Sequence, residues 1–572
     1  MKRLYLIFTF ILAFWAYLPV ANSQAVDNEK FINRLYDNEI EQYFSFELND
    51  PSLLSEIGRD ISIDKVEKSG KVYAYANRQG FTHFLNYGIS YRILPHPGDF
   101  NGYVKMLDHV NAREITDWDF YPTYDAYIEM MNQFAANFPS LCQIVTIGTS
   151  VQGRQIIAAR ISDNVGMSEN EPQFLYTSSI HGDETTGYVL MLRLIDYLLS
   201  NYGSDPRITG LVDGIDIFIN PLANPDGTYY GGNNSVNGAR RFNSNGVDLN
   251  RNYPDPEDGQ HPDGFPWQIE TVHFMNFAEA NHFVSSANLH GGEEVCNYPW
   301  DTWPRLAADD AWWRYVCHEY ADTAHAYAPP DYMSDFDNGI TNGYEWYTVS
   351  GGRQDYMNFF HQDREFTLEI SDTKLLSPNL LPTWWEYSYR SLLNYMEQSM
   401  FGLRGTVKDS VTNWPVKAEI YVTLHELDSS WVYSKLPAGN YHRLLYAGTY
   451  SVRFSAPGYE TKVISNINIT NRQATVLDVK LLPNGVGGID NYLVNNYIRI
   501  FPNPVHNELI RFDSEIMVDK VSILDLDGRL IRTVAAGYKS GSAQLQDLPD
   551  GTYFIRFDTA KGIGMKKIMV IR

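Results

Sequence analysis

Between about residue 121 and residue 401 the chain repeatedly alternates short apolar runs with segments of helical periodicity. FLYTSSI (174–180), IDIFIN (215–220), FVSSANL (283–289) and EFTLEI (365–370) read as short strands of the buried type. Between them lie helical patterns, clearest in YVLMLRLIDYLLS (188–200). Strands buried on both faces and separated by helices predict an α/β unit, a mixed, mostly parallel sheet covered by helices, over 118–401. Such sheets bind ligands beyond the carboxyl ends of their strands. Chemistry is therefore expected where these runs end.

The chain has 572 residues, too many for one core. Residues 24–112 read as strand FSFEL (44–48), helix 51–58, strands ISIDKV (61–66) and KVYAYAN (71–77), helix 81–87 and strand SYRIL (90–94). That order, β-α-β-β-α-β, predicts a small α+β domain. Residues 402–482 change to alternating strands such as AEIYVTL (418–424) and TYSVRFSA (449–456), with a Pro457-Gly458 turn. A linker at 483–496 carries the hinge Gly485-Val486-Gly487-Gly488, and a second all-β domain is expected over 497–572.

At the other end, Lys2 and Arg3 precede an apolar run over 4–21 and the small residues Ala21-Asn22-Ser23. This is the pattern of an export signal, residues 1–23, cleaved after Ser23; a retained membrane anchor is the alternative. No other stretch is apolar enough to span a bilayer. A formal charge of −24 argues against nucleic acid as partner. The three cysteines, Cys142, Cys296 and Cys317, allow at most one bridge, so no disulfide framework holds the chain.

I-H-G-D-E-T-T-G (180–187) follows the FLYTSSI strand and precedes a helix, which puts His181 and Glu184 where a site is expected. His290 ends FVSSANL in the same way. Two imidazoles and one carboxylate suit a zinc ion with an open position for water, whose pKa falls to about 7. An isolated H-x-x-E is a weak signal, because a glutamate also favours a helix N-terminus. The other histidines of this stretch, His261, His273, His282 and His361, read as structural or surface residues.

The order H-x-x-E, N-P-D-G (224–227), G-V-D-L-N-R-N (246–252), L-H-G-G (289–292) and F-T-L-E (366–369) resembles the zinc carboxypeptidase family, in particular its carboxypeptidase N/E branch. In that branch a transthyretin-like domain follows the catalytic one, and YAGTYSVRFSAPGYE (446–460) is similar to it. The N-terminal domain resembles, in topology only, the prosegment of zymogen carboxypeptidases; a permanent domain is the other reading. The resemblance implies one zinc ion per catalytic domain, held by His181, Glu184 and His290, with Glu369 as general base and Arg241 stabilising the oxyanion. Arg240 would take that place if the register were one residue off. Asn250 and Arg251 would grip the free carboxylate of a substrate, Tyr347 would close over it, and Asp248 would orient His181. Arg154 would serve an outer substrate subsite. Asp301, in N-Y-P-W-D (297–301), matches the acidic residue that selects C-terminal Lys or Arg. One departure stands out, Glu293 and Glu294 directly after L-H-G-G where small or apolar residues are usual.

The tail, with F-P-N-P (501–504), L-P-D-G-T-Y (548–553) and K-K-I-M-V-I-R (566–572), resembles the C-terminal sorting domain of type IX secretion cargo. That implies the secretion machinery as partner and passage across the outer membrane, while the carboxypeptidase resemblance implies a secreted or cell-surface enzyme acting on peptide C-termini by Glu369-assisted attack of zinc-bound water. A deacylase or cell-wall peptide amidase on the same fold is the alternative; Tyr347, Asp301 and the transthyretin-like tail favour the peptidase. An inactive binding module is disfavoured by the intact ligands and Glu369. The sequence leaves the oligomeric state open.

Overall fold

A computed structural model describes residues 30–571, apart from 38, 49, 110–114, 168, 485–493, 496, 507, 508, 536 and 561. The export signal and most of the linker lie outside the described residues. No helix among the described residues is long and apolar enough to cross a membrane.

The N-terminal unit forms β1 (Gln42–Glu47), β2 (Ser62–Val66), β3 (Lys71–Ala76), α1 (Arg78–Phe84) and β4 (Tyr91–Ile93). Its strands pair in the order β2-β3-β1-β4, all antiparallel. Period-two alternation in K-V-Y-A-Y-A sends Val72, Ala74 and Ala76 under Phe81 and Phe84 of the helix side. The opposite face carries Tyr43, Tyr73 and Tyr75, the rings of the first and last tilted against each other with centroids 4.7 Å apart. Tyr75 is nonetheless fully buried, because that face lies against the next unit. The expected helix at 51–58 is broken into a 3₁₀ turn and one α-turn, and α1 starts earlier than expected, capped by Asn77.

The central unit holds an eight-stranded sheet. In chain order the strands are β5 (Cys142–Thr149), β6 (Gln155–Ile161), β7 (Gln173–Ser178), β8 (Asp216–Asn220), β9 (Phe283–His290), β10 (Glu293–Tyr298), β11 (Ile340–Asn342) and β12 (Arg364–Ser371). They lie side by side as β11-β10-β12-β9-β7-β8-β6-β5. The inner four, β12, β9, β7 and β8, run parallel, and β10 and β6 flank them antiparallel. Helix α2 (Thr186–Asn201) and helix α3 (Leu381–Gln398) contribute to one core; Phe218, Phe274 and Phe283 belong to a second. The strands and helix of the N-terminal unit have a core of their own, which Tyr347 joins, while Val104 packs into the central core with half-buried Phe100, Met106 and Leu107 against it. The three cysteines are buried free thiols.

Residues 402–481 form two small sheets around Leu403, Ile420, Val452 and Phe454, and residues 498–570 form a six-stranded sheet. Fully buried Arg443 ties the first of these β units to the central one. It donates to Asp309 Oδ1 and to Glu426 Oε2 (2.8 and 2.9 Å), and Asp309 also receives Arg364 (2.8 Å) and His425 (2.8 Å).

Candidate active site

The chain leaves β7 at Ser178 and turns sharply at Ser179, which adopts a left-handed conformation (φ 55°). His181 and Glu184 follow just before α2 begins. Gly182 is required here, since a Cβ on it would stand 2.3 Å from Gly227 C and 2.5 Å from Arg240 O. N-P-D-G is thus the platform under H-G-D-E, with the Asn224 amide donating to the carbonyls of Ile180 and Arg241 (3.2 and 3.3 Å). His290 ends β9, and the parallel register pairs it with Glu369 on β12. Partners across a pair of strands point to the same face about 5 Å apart, so sheet geometry brings ligand and carboxylate together.

His181 Nδ1 lies 2.9 Å from Glu184 Oε1 and 3.0 Å from His290 Nδ1, while His290 Nδ1 is 2.8 Å from Glu184 Oε2. All three residues are at least 97% buried, since none exceeds 3% exposure. Two ring nitrogens facing each other share at most one proton, and Glu184 Oε2 receives no hydrogen bond. A cation among the three atoms satisfies all of them, and two imidazoles with one carboxylate form a zinc-type donor set. Behind the cluster, His181 Nε2 is held 3.1 Å from Asp248 Oδ1 and His290 Nε2 lies 2.9 Å from the Asn288 amide, partners that fix both rings. Burial alone would raise the Glu184 carboxyl, but His181, Lys374 and His290 outweigh it and hold it well below the usual range. Burial pushes His290 down to about 4, so it stays neutral and free to ligate.

Glu369 is 8% exposed and its Oε2 has no hydrogen-bond partner. Burial, reinforced by the charge of Glu184, raises its carboxyl well above the ordinary range. Arg241 reaches the same place, its Nε donating to Asp248 Oδ2 (3.0 Å) and its Nη1 to Glu184 Oε1 (3.3 Å). Arg240 points away and pairs with Glu39 and Asp99.

The same cavity is lined by Asn250, Arg251, Asp301 and Tyr347. Arg251 donates to the carbonyl of Asn250 (2.8 Å), and Asn250 Oδ1 accepts from the amide of Arg353 (2.9 Å). Asp301 is 5% exposed. Asn297 and Gln354 both donate to its Oδ1 (3.0 and 3.1 Å), and among the described residues no donor takes Oδ2. Gly343 makes room for this carboxylate, because a Cβ there would fall 1.7 Å from Asp301 Oδ1. Burial raises the Asp301 carboxyl to about 6 against the opposing pull of Asn297 and Arg251. The pocket therefore ends in a carboxylate oxygen suited to a cationic group.

Comparison with known proteins bears on the whole arrangement. Residues 127–391 match the model of the zinc carboxypeptidases, 402–482 that of a carboxypeptidase regulatory-like domain, and 499–571 that of a secretion system C-terminal sorting domain. Carboxypeptidase D of Mus musculus is 36% identical over 368 residues, 62% of this chain but 26% of that protein. The chain thus spans about a quarter of the carboxypeptidase D relatives. The carboxypeptidase N catalytic chain of Mus musculus is 33% identical over 397 residues, 63% of this chain and 85% of that one. Carboxypeptidase M of Mus musculus is 34% identical over 356 residues, 58% and 77% respectively. The chain belongs to the zinc carboxypeptidase family.

Three features of the chain bear on the sequence reading. The first is the placement of Arg154. Arg154 is not on the cavity wall; its guanidinium is bonded to Asp226 (2.6 Å), Asn233 and the carbonyl of Tyr229, where it secures the N-P-D-G platform. Secondly, only one of the two unusual glutamates faces the cavity lined by His181, Glu184 and His290. Strand alternation turns Glu293 into the cavity and Glu294 to the other face, near the amide of Met333 (3.4 Å).

The third feature is the N-terminal unit, which sits on the site. Asp64, on edge strand β2, lines the cavity and lies 2.7 Å from Lys374 Nζ; Lys374 also donates to Glu184 Oε1 and to the carbonyl of Gly291. Ser62 donates to Asp248 Oδ2 (2.6 Å), Tyr75 to Asp183 Oδ2 (2.8 Å), and Glu41 accepts the amides of Arg241 and Phe242. Tyr347 packs against the N-terminal core. With this unit docked the cavity is small, about 30 Å³. Sequence reasoning missed Lys374 and Asp64. A lysine four residues past the F-T-L-E-I run was the available signal for the first, and none marked the second.

Proposed function

We propose that this chain is a secreted exopeptidase that hydrolyses the C-terminal peptide bond of peptides or proteins and releases Lys or Arg. The observation that carries the reading is Asp301, a buried carboxylate with Oδ2 free at the end of the cavity that also holds Arg251 and the three ligands. Arg251 and Asn250 bind the terminal carboxylate of the substrate, which makes the enzyme an exopeptidase, since a continuing chain would leave the guanidinium unpaired. Asp301 accepts the ammonium or guanidinium of the last side chain, and Tyr347 closes over it. His181, Glu184 and His290 would hold zinc, which when bound supplies Lewis acidity at the scissile carbonyl and acidifies water.

Glu369 takes a proton from the attacking water as its oxygen bonds to the carbonyl carbon, then delivers that proton to the leaving nitrogen as the C–N bond breaks. Arg241 stabilises the negative charge that develops on the carbonyl oxygen. Asp248 keeps His181 in the tautomer that presents Nδ1 to the metal.

The N-terminal unit acts as a prosegment, and the small cavity, about 30 Å³, supports this because it leaves little room for a substrate side chain beneath the docked unit. The sorting domain sends the protein through the type IX machinery across the outer membrane. A panel of acyl dipeptides ending in Lys, Arg, Phe and Glu, with and without chelator, tests the reading. Release of Lys and Arg, abolished by chelator, is expected; preference for Phe would rule out the role of Asp301.

A further inference from the structure

The one unusual glutamate that faces the cavity lies on the far side of Glu369 from Asp301. Strand β10 fixes this. Its antiparallel register with β12 sets Val295 opposite Glu369, Asn297 opposite Thr367 and Glu293 opposite Ser371. Asn297 holds Asp301 by hydrogen bond (3.0 Å), so the direction from Val295 to Asn297 leads into the pocket for the leaving residue. Glu293 is two residues the other way, roughly 7 Å along the strand. A substrate that puts its last side chain on Asp301 and its scissile bond at Glu369 carries its preceding residue towards Glu293.

Glu293 already has an occupant. Lys65 of the N-terminal unit places Nζ 3.1 Å from Glu293 Oε2, and the glutamate side chain is only 16% exposed there. The register of β2 shifts between Ile63 and Lys65, and this bulge lets neighbouring Asp64 and Lys65 both engage the catalytic unit, one on Lys374 and the other on Glu293. The docked unit thus shows a lysine ammonium received at this position.

We infer that Glu293 is a specificity residue for the amino side of the scissile bond, selecting Lys or Arg as the penultimate residue, so that the preferred C-termini are dibasic. The inference rests on the exopeptidase reading above. A partly desolvated carboxylate rewards a cationic partner and disfavours an anionic one, and the expected preference is about tenfold. Lys65 occupies this subsite in the closed chain and leaves it when the N-terminal unit departs.

The test uses the full chain opened by limited proteolysis after residue 93, since residues 31–93 pack around a core that only Tyr347 of the catalytic unit joins. The substrates are acyl-Lys-Arg, acyl-Ala-Arg and acyl-Glu-Arg, and the readout is the ratio of kcat/KM values. The wild-type enzyme should favour Lys over Ala by about tenfold and Ala over Glu. Glu293→Gln should bring the Lys/Ala ratio near one, and Glu293→Lys should favour Glu. Arginine release from all three peptides at similar rates, or a Lys/Ala ratio untouched by Glu293→Gln, overturns the inference and leaves the exopeptidase reading standing. Absence of release by the opened wild-type enzyme from every peptide overturns both.

Discussion

Asp64 Oδ1 stands 2.7 Å from Lys374 Nζ, the same ammonium that lies 2.8 Å from Glu184 Oε1. One cation is thus shared between the N-terminal unit and the metal-ligand set. All three side chains are at most 7% exposed, so removing one partner leaves the others poorly compensated.

Asp64→Ala should loosen the N-terminal unit. The cost to docking is about 2 kcal/mol, below the usual figure for a broken buried pair because Lys374 keeps Glu184 and Gly291. The intact variant should hydrolyse acyl-Arg substrates at least tenfold faster than intact wild type, and trypsin should detach its N-terminal unit sooner. Equal rates in the two intact chains would mean that Asp64 does not hold the site closed.

Glu369→Gln should lower kcat by roughly 10²- to 10⁴-fold with little change in KM, the range for loss of a positioned acid–base group. Glu369 is not one of the three clustered ligands, so zinc content measured by plasma emission should stay at one per chain. His290→Ala should instead lose the metal. A Glu369→Gln enzyme of near wild-type rate would remove this carboxylate from the mechanism.

Acid should weaken selection for basic residues. Burial raises the Asp301 carboxyl to about 6. It is charged above that pH and neutral below it, so kcat/KM for C-terminal Arg should fall as pH drops through about 6. In Asp301→Asn this limb should be absent at a uniformly low value. Gly343→Ala, which sets a methyl against Asp301 Oδ1, should raise KM for Arg substrates with the fold intact by circular dichroism.

The junction between the catalytic and regulatory-like units should be acid-labile. Burial alone would raise Asp309, but Arg443, Arg364 and His425 overcome it and hold the carboxyl below the usual range. A carboxylate depressed in the folded state stabilises it fully above the unfolded pKa, about 3.9. That contribution is lost as pH falls through the folded value. Asp309→Asn should therefore cost about 3 kcal/mol at neutral pH and progressively less below pH 4. Thermal melts of both proteins across pH 3–7 measure it; a constant gap would exclude Asp309 as the source.

Much of this protein can be read from neighbours in sequence. Apolar runs alternating with helical segments specify a mixed sheet covered by helices, because strands buried on both faces need cover on both. The spacing of His181 and Glu184 at a strand end, and of Asp248 with Asn250 and Arg251, falls within single turns whose geometry is local. Those readings agree with the positions found, and Arg241 rather than Arg240 faces the ligands.

What tertiary structure decided depends on contacts between distant segments. Whether Arg154 reaches the cavity turns on Asp226, which captures its guanidinium first. Alternation says that one of Glu293 and Glu294 faces inward, but only the register of β10 against β12 says which. Asp301 acts as a buried carboxylate only because Asn297, Gln354 and the missing side chain of Gly343 meet around it. Residue order carries the local geometry of the ligands. The closing of the site by Asp64 and Lys374 belongs to a domain interface, and charge pairing across it follows from docking that no local pattern encodes.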